Sequence, residues 1–378
     1  MKVSRLLTAL LSIQLWLASG CGPTETPAQA TGLDVLAQSA DDYDQAGPGR
    51  SLNFPADHGP HPGFRIEWWY LTANLHDHAG QRYGAQWTLF RLAVKPPANP
   101  GSDLTAQDNQ VYMAHMAITT PDDHLSFQRY ARGGGPDGET RAGVTAMPFS
   151  AWLDDWSLHS TGDDWLPLQV KARQADNSMD LRLQSDSPLV LQGNAGFSAK
   201  STDGGGSYYY SQPFLEASGH LTVAGRKIPV SGKAWLDREW SSQFLQRGQS
   251  GWDWFSLHLD SGEKLMLFQV RDRAGNSSFL QGKLMAADGS STKLDPGKIE
   301  LLPLQMIPIA GRNLPLHWRI SVPQIDREFD IQALVEDQWM DVDFPYWEGA
   351  IIVSGDGPGT SGEGYMELTG YPIDNPDR

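Results

Sequence analysis

The chain has 378 residues and a formal net charge of −16, from 45 acidic and 29 basic residues. So acidic a chain is poorly suited to nucleic acid or anionic head groups and excludes the basic binding proteins as a class. A single cysteine excludes an intrachain disulfide framework, so stability has to come from packed cores, and the length is ample for two domains.

In chain order, Lys2 and Arg5 precede an apolar run over 6–17 that is too short to span a bilayer. It ends in Leu17-Ala18-Ser19-Gly20-Cys21, which predicts a signal peptide over 1–20 and lipidation of Cys21. A plain secretory peptide with an incidental cysteine is the alternative. Removing the segment takes away two positive charges and no acid, so the mature chain is more acidic still. Acylation anchors a chain to a membrane without spanning it. Gly22, where an aspartate would retain the protein at the inner membrane, points to the outer membrane facing the periplasm. Residues 21–50 read as a lipidated flexible tether.

From residue 51 the texture is strand after strand. Trp68–Leu75 and Tyr83–Phe90 alternate and are split by a turn-like His-Asp-His-Ala-Gly. The same pattern returns at 166–173, 179–184, 219–223, 228–237, 252–259, 263–271, 279–285, 317–322, 329–335, 348–354 and 364–371, with Gly/Asp/Ser turns between. No amphipathic helix longer than about three turns emerges. Many short strands predict an all-β barrel or sandwich, and the length predicts two of them. The polar, glycine-bearing stretch 241–251 predicts the boundary, giving domains over 51–243 and 244–378.

Strand alternation places Glu67 on one face with Trp69, Leu71, Ala73 and Leu75. A carboxylate there is either paired, with Arg65 as the expected partner, or shifted toward its neutral form. In Trp235-Leu236-Asp237-Arg238-Glu239-Trp240, Trp235, Asp237 and Glu239 share a face, and Arg238 and Trp240 share the other. Close carboxylates raise one another's pKa, which makes Asp237 and Glu239 candidate proton donors. The alternative is a salt-bridged strand end with Arg238 and Lys233 as partners. Tyr346-Trp347-Glu348 and Tyr365-Met366-Glu367 again set aromatics beside acids. Fourteen tryptophans are many for one chain, and tryptophan fills cores or lines apolar pockets. The candidate ligand-binding set is Glu67, Trp69, Trp235, Trp240, Trp252, Trp254, Tyr346 and Trp347. His58 and His61 lie either side of Gly59-Pro60, which forbids the helix that usually presents such a metal pair, so no metal is expected. His115 reads as a core histidine. Gly357–Gly362 fits a nucleotide-loop pattern only formally, because a strand and not a helix follows. There is no G-x-S-x-G or H-E-x-x-H, and no cofactor is expected.

The stretches Phe54–Gly59 with Arg65–Tyr70, Ala234–Ser242, Gly251–Ser256 and Tyr346–Gly349 resemble the AttH family, which belongs with the carotenoid 1,2-hydratases (hydroxyneurosporene synthases). The resemblance covers nearly all of 51–372. It implies two tandem lipocalin-like antiparallel β-barrels, an ABC transporter as frequent partner, and a catalytic relative that adds water across a terminal carotenoid double bond. Where those hydratases carry Asp-His-Asn-Trp, this chain has Asp237-Arg238-Glu239-Trp240. Arginine cannot exchange protons near neutral pH, so the histidine's role does not pass to Arg238.

These features first suggest an exported lipoprotein that binds or carries an apolar lipid or isoprenoid beside an ABC transporter. The ligand would sit in a barrel or in the cleft between barrels. The second reading is an enzyme hydrating or cyclising an isoprenoid alkene, with Asp237 or Glu239 as donor and Trp235 and Trp240 holding the cation. The third is a glycan-binding module.

Overall fold

The computed structural model describes residues 40–96, 109–133 and 140–374. The expected signal segment, Cys21 and the tether to residue 39 lie outside the described residues. Residues 40–50, the end of the expected tether, pack on the first barrel. Ala40 is buried, the Asp44 amide donates to the Gly63 carbonyl at 2.9 Å, and Arg50 pairs with Asp57 at 2.7 Å.

The architecture is all-β, two curled antiparallel sheets in sequence. The first holds β1 (Ile66–His76), β2 (Arg82–Ala93), β3 (Gln110–Thr119), β4 (His124–Arg132), β5 (Ala142–Ala146), β6 (Phe149–Leu153), β7 (Trp156–Ser160), β8 (Leu168–Gln174), β9 (Asn177–Gln184), β10 (Val190–Leu191), β11 (Phe197–Ala199), β12 (Gly206–Val223) and β13 (Arg226–Ser241). Its order is β4-β3-β2-β1-β13-β12-β9-β8-β7-β6-β5, and β6 curls round to touch β3 and β4, which nearly closes a barrel. The second holds β14 (Gln249–Leu259), β15 (Lys264–Asp272), β16 (Ser277–Met285), β17 (Ser291–Leu294), β18 (Glu300–Ile309), β19 (Arg312–Val322), β20 (Arg327–Ala333), β21 (Trp339–Met340), β22 (Tyr346–Ser354) and β23 (Gly362–Leu368). Its order is β17-β16-β15-β14-β23-β22-β20-β19-β18, and it stays open as a half-barrel. Pro303 and Pro308 fit β18 for that open edge, because neither can donate to a further strand.

The period-2 alternation read from the sequence is what sorts the side chains. On β1, Trp69, Leu71, Ala73 and Leu75 point into the first barrel, where Trp87 and Trp156 also lie fully buried. On β14 and β22, Phe255, Leu257, Trp347 and Ile351 point into the second core. Each such large apolar side chain contributes about 1.5–3 kcal/mol on burial. The opposite faces of β1, β13, β14, β22 and β23 are not solvated. They meet one another in a third core containing Tyr70, Tyr209, Trp235, Trp254, Met266, Phe268 and Tyr365. The two sheets therefore pack outer face on outer face along a buried seam. Hydrogen bonds cross it, from Asn74 Nδ2 to the Gly364 carbonyl at 2.8 Å and from Thr119 Oγ1 to Gln338 Oε1 at 2.9 Å. Gly84 lets the sheets close, since a Cβ there would stand 2.6 Å from the Tyr365 hydroxyl oxygen.

Candidate functional site

The seam carries a buried acid cluster. On β13, Trp235, Asp237 and Glu239 face it while Arg238 and Trp240 face away, because successive strand residues alternate. Asp237 Oδ1 accepts from Ser211 Oγ at 2.5 Å and Trp235 Nε1 at 2.7 Å, and Oδ2 accepts from Tyr209 Oη at 2.5 Å. Burial pushes its pKa up to about 7, against the lowering effect of those three donors, and Glu239 adds to the rise. The Arg238 and Lys233 pairing that sequence offered as an alternative does not form, since Arg238 is held on the other face. Glu239 has a cation of its own, Lys200 Nζ at 2.8 Å, and accepts a hydrogen bond from Ser207. Lys200 lies 4.0 Å from the Phe268 ring centroid and 5.0 Å from that of Phe244, and burial lowers its pKa against the pull of Glu239.

Two further acids come from the second sheet. Glu348 on β22 and Glu367 on β23 are direct cross-strand partners. Side chains so placed have Cβ atoms about 4.5–5.5 Å apart, where like charges repel. Glu367 Oε1 accepts from Trp252 Nε1 at 2.8 Å, and burial pushes its pKa up to about 8. Glu348 is fully buried, neither of its oxygens accepts a hydrogen bond of ordinary geometry, and the Tyr70 and Tyr346 hydroxyls face it. Burial, reinforced by Glu367, holds its carboxyl well above the usual range. Near neutral pH the seam thus holds carboxylic acids in their neutral, donating form, enclosed by aromatic rings. Tyr70 and Trp254 meet edge to face at 5.4 Å, and Trp235 and Trp254 at 6.2 Å.

The sequence-derived candidates divide. Asp237, Glu239, Trp235, Trp252, Trp254 and Tyr346 come together on the seam. Glu67, Trp69, Trp240 and Trp347 do not. Trp69 and Trp347 fill the two barrel interiors, as alternation requires of residues one position from the seam face. Trp240 stacks on His61 at 3.9 Å behind the strand and does not face Asp237. Glu67 is buried at the end of the first barrel, where Arg91 and Arg238 bond it in place of the expected Arg65. Burial opposes its charge, but the two guanidiniums outweigh that and hold its pKa well below the usual range. Register explains the exchange: Arg91 is directly across from Glu67, and Arg238 is two residue pairs along, opposite Trp69 and on the same face as Glu67. His58 and His61 are engaged as neighbours of this network, His58 with Tyr210 Oη at 2.7 Å and His61 with Asp57 at 3.0 Å.

The sequence marked Glu348 and Glu367 only as acids beside aromatics, with no site role, and did not mark Lys200 at all. A usable signal was present for the first two, since each is an acid on a strand with no basic residue nearby. Lys200 carried none, as its partner lies 39 positions away in the chain. Among the described residues no three His, Cys, Asp or Glu side chains are placed to hold a metal ion. At one end the seam opens into a cleft of about 790 Å³, lined from both sheets by residues including His76, Glu216, Lys233, Gly362 and Glu363. Lys233 is four residues from Asp237 on β13, about 13 Å along the strand.

The AttH-like family profile matches residues 45–371. Among similar solved structures, an AttH-type protein of Nitrosomonas europaea is 35% identical with a TM-score of 0.76, over 87% of this chain and 100% of its own. Kievitone hydratase from Nectria haematococca is 17% identical with a TM-score of 0.62, over 87% of this chain and 96% of its own. CghA, solved with Sch210972, is 12% identical with a TM-score of 0.55, over 90% and 99% respectively. The last two show a common fold. No curated protein matches the chain by sequence.

Proposed function

The chain belongs to the AttH-like family, and on that premise we propose that it is an enzyme whose seam acids protonate an alkene of an apolar, isoprenoid-like substrate, for hydration or cyclisation. The observation that carries the reading is Glu348: a fully buried carboxyl, raised well above its usual range, faced by the Tyr70 and Tyr346 hydroxyls and enclosed among aromatic rings. An acid in that state stays protonated at neutral pH and is therefore available as a proton donor. Trp235, Trp254 and Tyr70 offer π-faces to the carbocation that results.

In hydration, the Glu348 proton goes to one alkene carbon and the π-electron pair forms the new C–H bond. Water then adds to the cationic carbon and loses its proton to the Asp237 carboxylate. A carboxyl titrating at about 7 is well matched to that base role near neutrality. In cyclisation a second double bond of the substrate takes the place of water. Glu239, committed to Lys200, balances charge beside Asp237 rather than donating. Kievitone hydratase shares the fold and is named for a hydration, which supports this reading over a carrier without chemistry. Export, tethering through Cys21 and partnership with an ABC transporter complete the proposal and rest on the sequence alone.

The test is incubation of the purified chain with an acyclic carotenoid bearing a terminal isopropylidene group, in ¹⁸O-labelled water, with products read by mass spectrometry. A product that has gained labelled water, or an isomer of unchanged mass with one ring more, is expected. Glu348→Gln should abolish it and Asp237→Asn should lower it by about 10²-fold or more, the usual loss of a positioned proton-transfer group. Undiminished turnover in the double variant would refute the assignment.

A further inference from the structure

The outer face of the first barrel carries one cross-strand row that is polar throughout. Register aligns Ser211 on β12, Asp237 on β13, Tyr70 on β1, Thr88 on β2, His115 on β3 and Gln128 on β4. The row on one side runs from Glu239 through the apolar Trp68, Phe90 and Met113, and the row on the other mixes Trp235 and Ala117 with Thr72, Gln86 and Ser126. From Asp237 to Gln128 the row crosses four strand spacings, about 19 Å. It starts at the acid cluster and ends at Gln128, half-buried on the edge strand β4.

His115 is the fully buried member that can carry a proton in two directions. Its Nδ1 is 2.9 Å from the Tyr346 hydroxyl oxygen, which reaches across from the second sheet, and its Nε2 has no hydrogen-bond partner. Tyr346 in turn faces Glu348. On the outer side, Gln128 is its cross-strand neighbour and accepts from the amide of exposed Asp343 at 3.0 Å. Burial lowers the His115 pKa to about 4, against Gln128 and Asp343, so the ring is neutral at pH 7. A neutral ring can take a proton at one nitrogen while releasing one from the other.

We propose that His115 and Tyr346 form a proton relay that reloads Glu348 from the solvent edge beside Gln128 and Asp343. This rests on the reading of Glu348 as proton donor. One proton arrives at His115 Nε2, the Nδ1 proton passes to the Tyr346 oxygen, and the Tyr346 hydroxyl proton passes to the Glu348 carboxylate. One proton enters, one is delivered, and the ring ends as its other tautomer, to be reset by rotation or by the reverse route. His115 and Tyr346 touch no substrate and act through Glu348.

The experiment is a rapid pH jump on the full chain without substrate, followed by time-resolved infrared absorption of the protonated carboxylic-acid carbonyl. Glu348→Gln identifies the Glu348 share of the band. His115→Phe and Tyr346→Phe should leave the equilibrium amplitude of that share in place and slow its relaxation by about 10²-fold or more. Tyr346→Phe removes only a hydroxyl, so it serves if His115→Phe does not fold. Wild-type relaxation rates in the folded variants overturn the relay and leave the function reading intact. A wild-type protein with no such band at neutral pH overturns the function reading and, with it, the relay.

Discussion

Replacing Asp237 by asparagine separates its protonation from its packing. The amide keeps the size of the acid and can keep its bonds, with Oδ1 accepting from Ser211 and Trp235 and Nδ2 turned to the Tyr209 oxygen. What it removes is the titration. In the unfolded chain the acid releases its proton near 4, and in the fold burial delays release to about 7. Between those values the folded state binds more protons than the unfolded state, so stability falls as pH rises through the window. A rise from 3.8 to about 7 corresponds to about 4 kcal/mol at roughly 1.4 kcal/mol per pH unit. Urea unfolding of both proteins at a series of pH values reads this directly. The wild type should match or exceed the variant near pH 4. Asp237→Asn should then gain on it steadily, by up to about 4 kcal/mol at pH 8. Glu348 and Glu367 impose slopes of the same sign on both proteins, so the difference between the curves reads Asp237 together with the part of the Glu367 rise that Asp237 itself supplies. A difference that stays flat from pH 4 to 8 would show that Asp237 ionises in the fold as an ordinary carboxyl, and the reasoning would be refuted.

Glu67→Gln should act in the opposite direction. Its folded pKa is depressed, so its contribution is present above the ordinary glutamate range and lost as pH falls. Near pH 7 the change leaves the buried Arg91 and Arg238 charges uncompensated and should cost about 3–5 kcal/mol in urea unfolding. A loss under about 1 kcal/mol would show that the network does not hold the barrel end. Cys21→Ser, expressed with its native leader, should move the protein from the detergent-extracted membrane fraction to the soluble periplasmic fraction. Retention in the membrane would exclude a lipid anchor at that residue.

The strands were legible because their alternation is local: a period of two over 68–75 or 252–259 needs no knowledge of the partner strand. Alternation also showed that Asp237 and Arg238 face opposite ways. It could not show which face turned inward, because the first barrel's outer face is covered by the second sheet and reads as apolar on both sides. Hence Trp69 and Trp347 looked as suitable for a ligand as Trp235 and Trp254, although the first pair fills cores and the second lines the seam. Partners across strands were hidden for a related reason. Arg91 lies 24 residues from Glu67 and reaches it only through the β1–β2 register, whereas Arg65 is close in sequence. Glu348 and Glu367 are 19 positions apart, and their pairing depends on the loop between β22 and β23.

The molecule contains two kinds of buried acid, and the contrast separates structure from chemistry. Inside the barrels each acid meets a guanidinium: Glu67 meets Arg91 and Arg238, and Asp253 meets Arg271 at 3.0 Å, which itself stacks on Tyr371 at 3.8 Å. Those arrangements hold barrel ends together and give each carboxyl a cation, which holds Glu67 ionised, although burial still raises Asp253 above its ordinary value. On the seam, arginine is replaced by tyrosine, tryptophan and serine, which bond to or face an acid without neutralising it. Among the described residues, Glu239 is the fully enclosed seam acid that has a cation, Lys200. Asp237, Glu348 and Glu367 are left to burial, and each is raised by it. A fold that elsewhere pairs its buried acids gains nothing in stability from leaving three unpaired in one layer, since ionising any of them there costs several kcal/mol. What the layer gains is two acids protonated at neutral pH, Glu348 and Glu367, beside a third, Asp237, poised to accept a proton, enclosed by rings that tolerate a cation and built where the outer faces of two sheets meet.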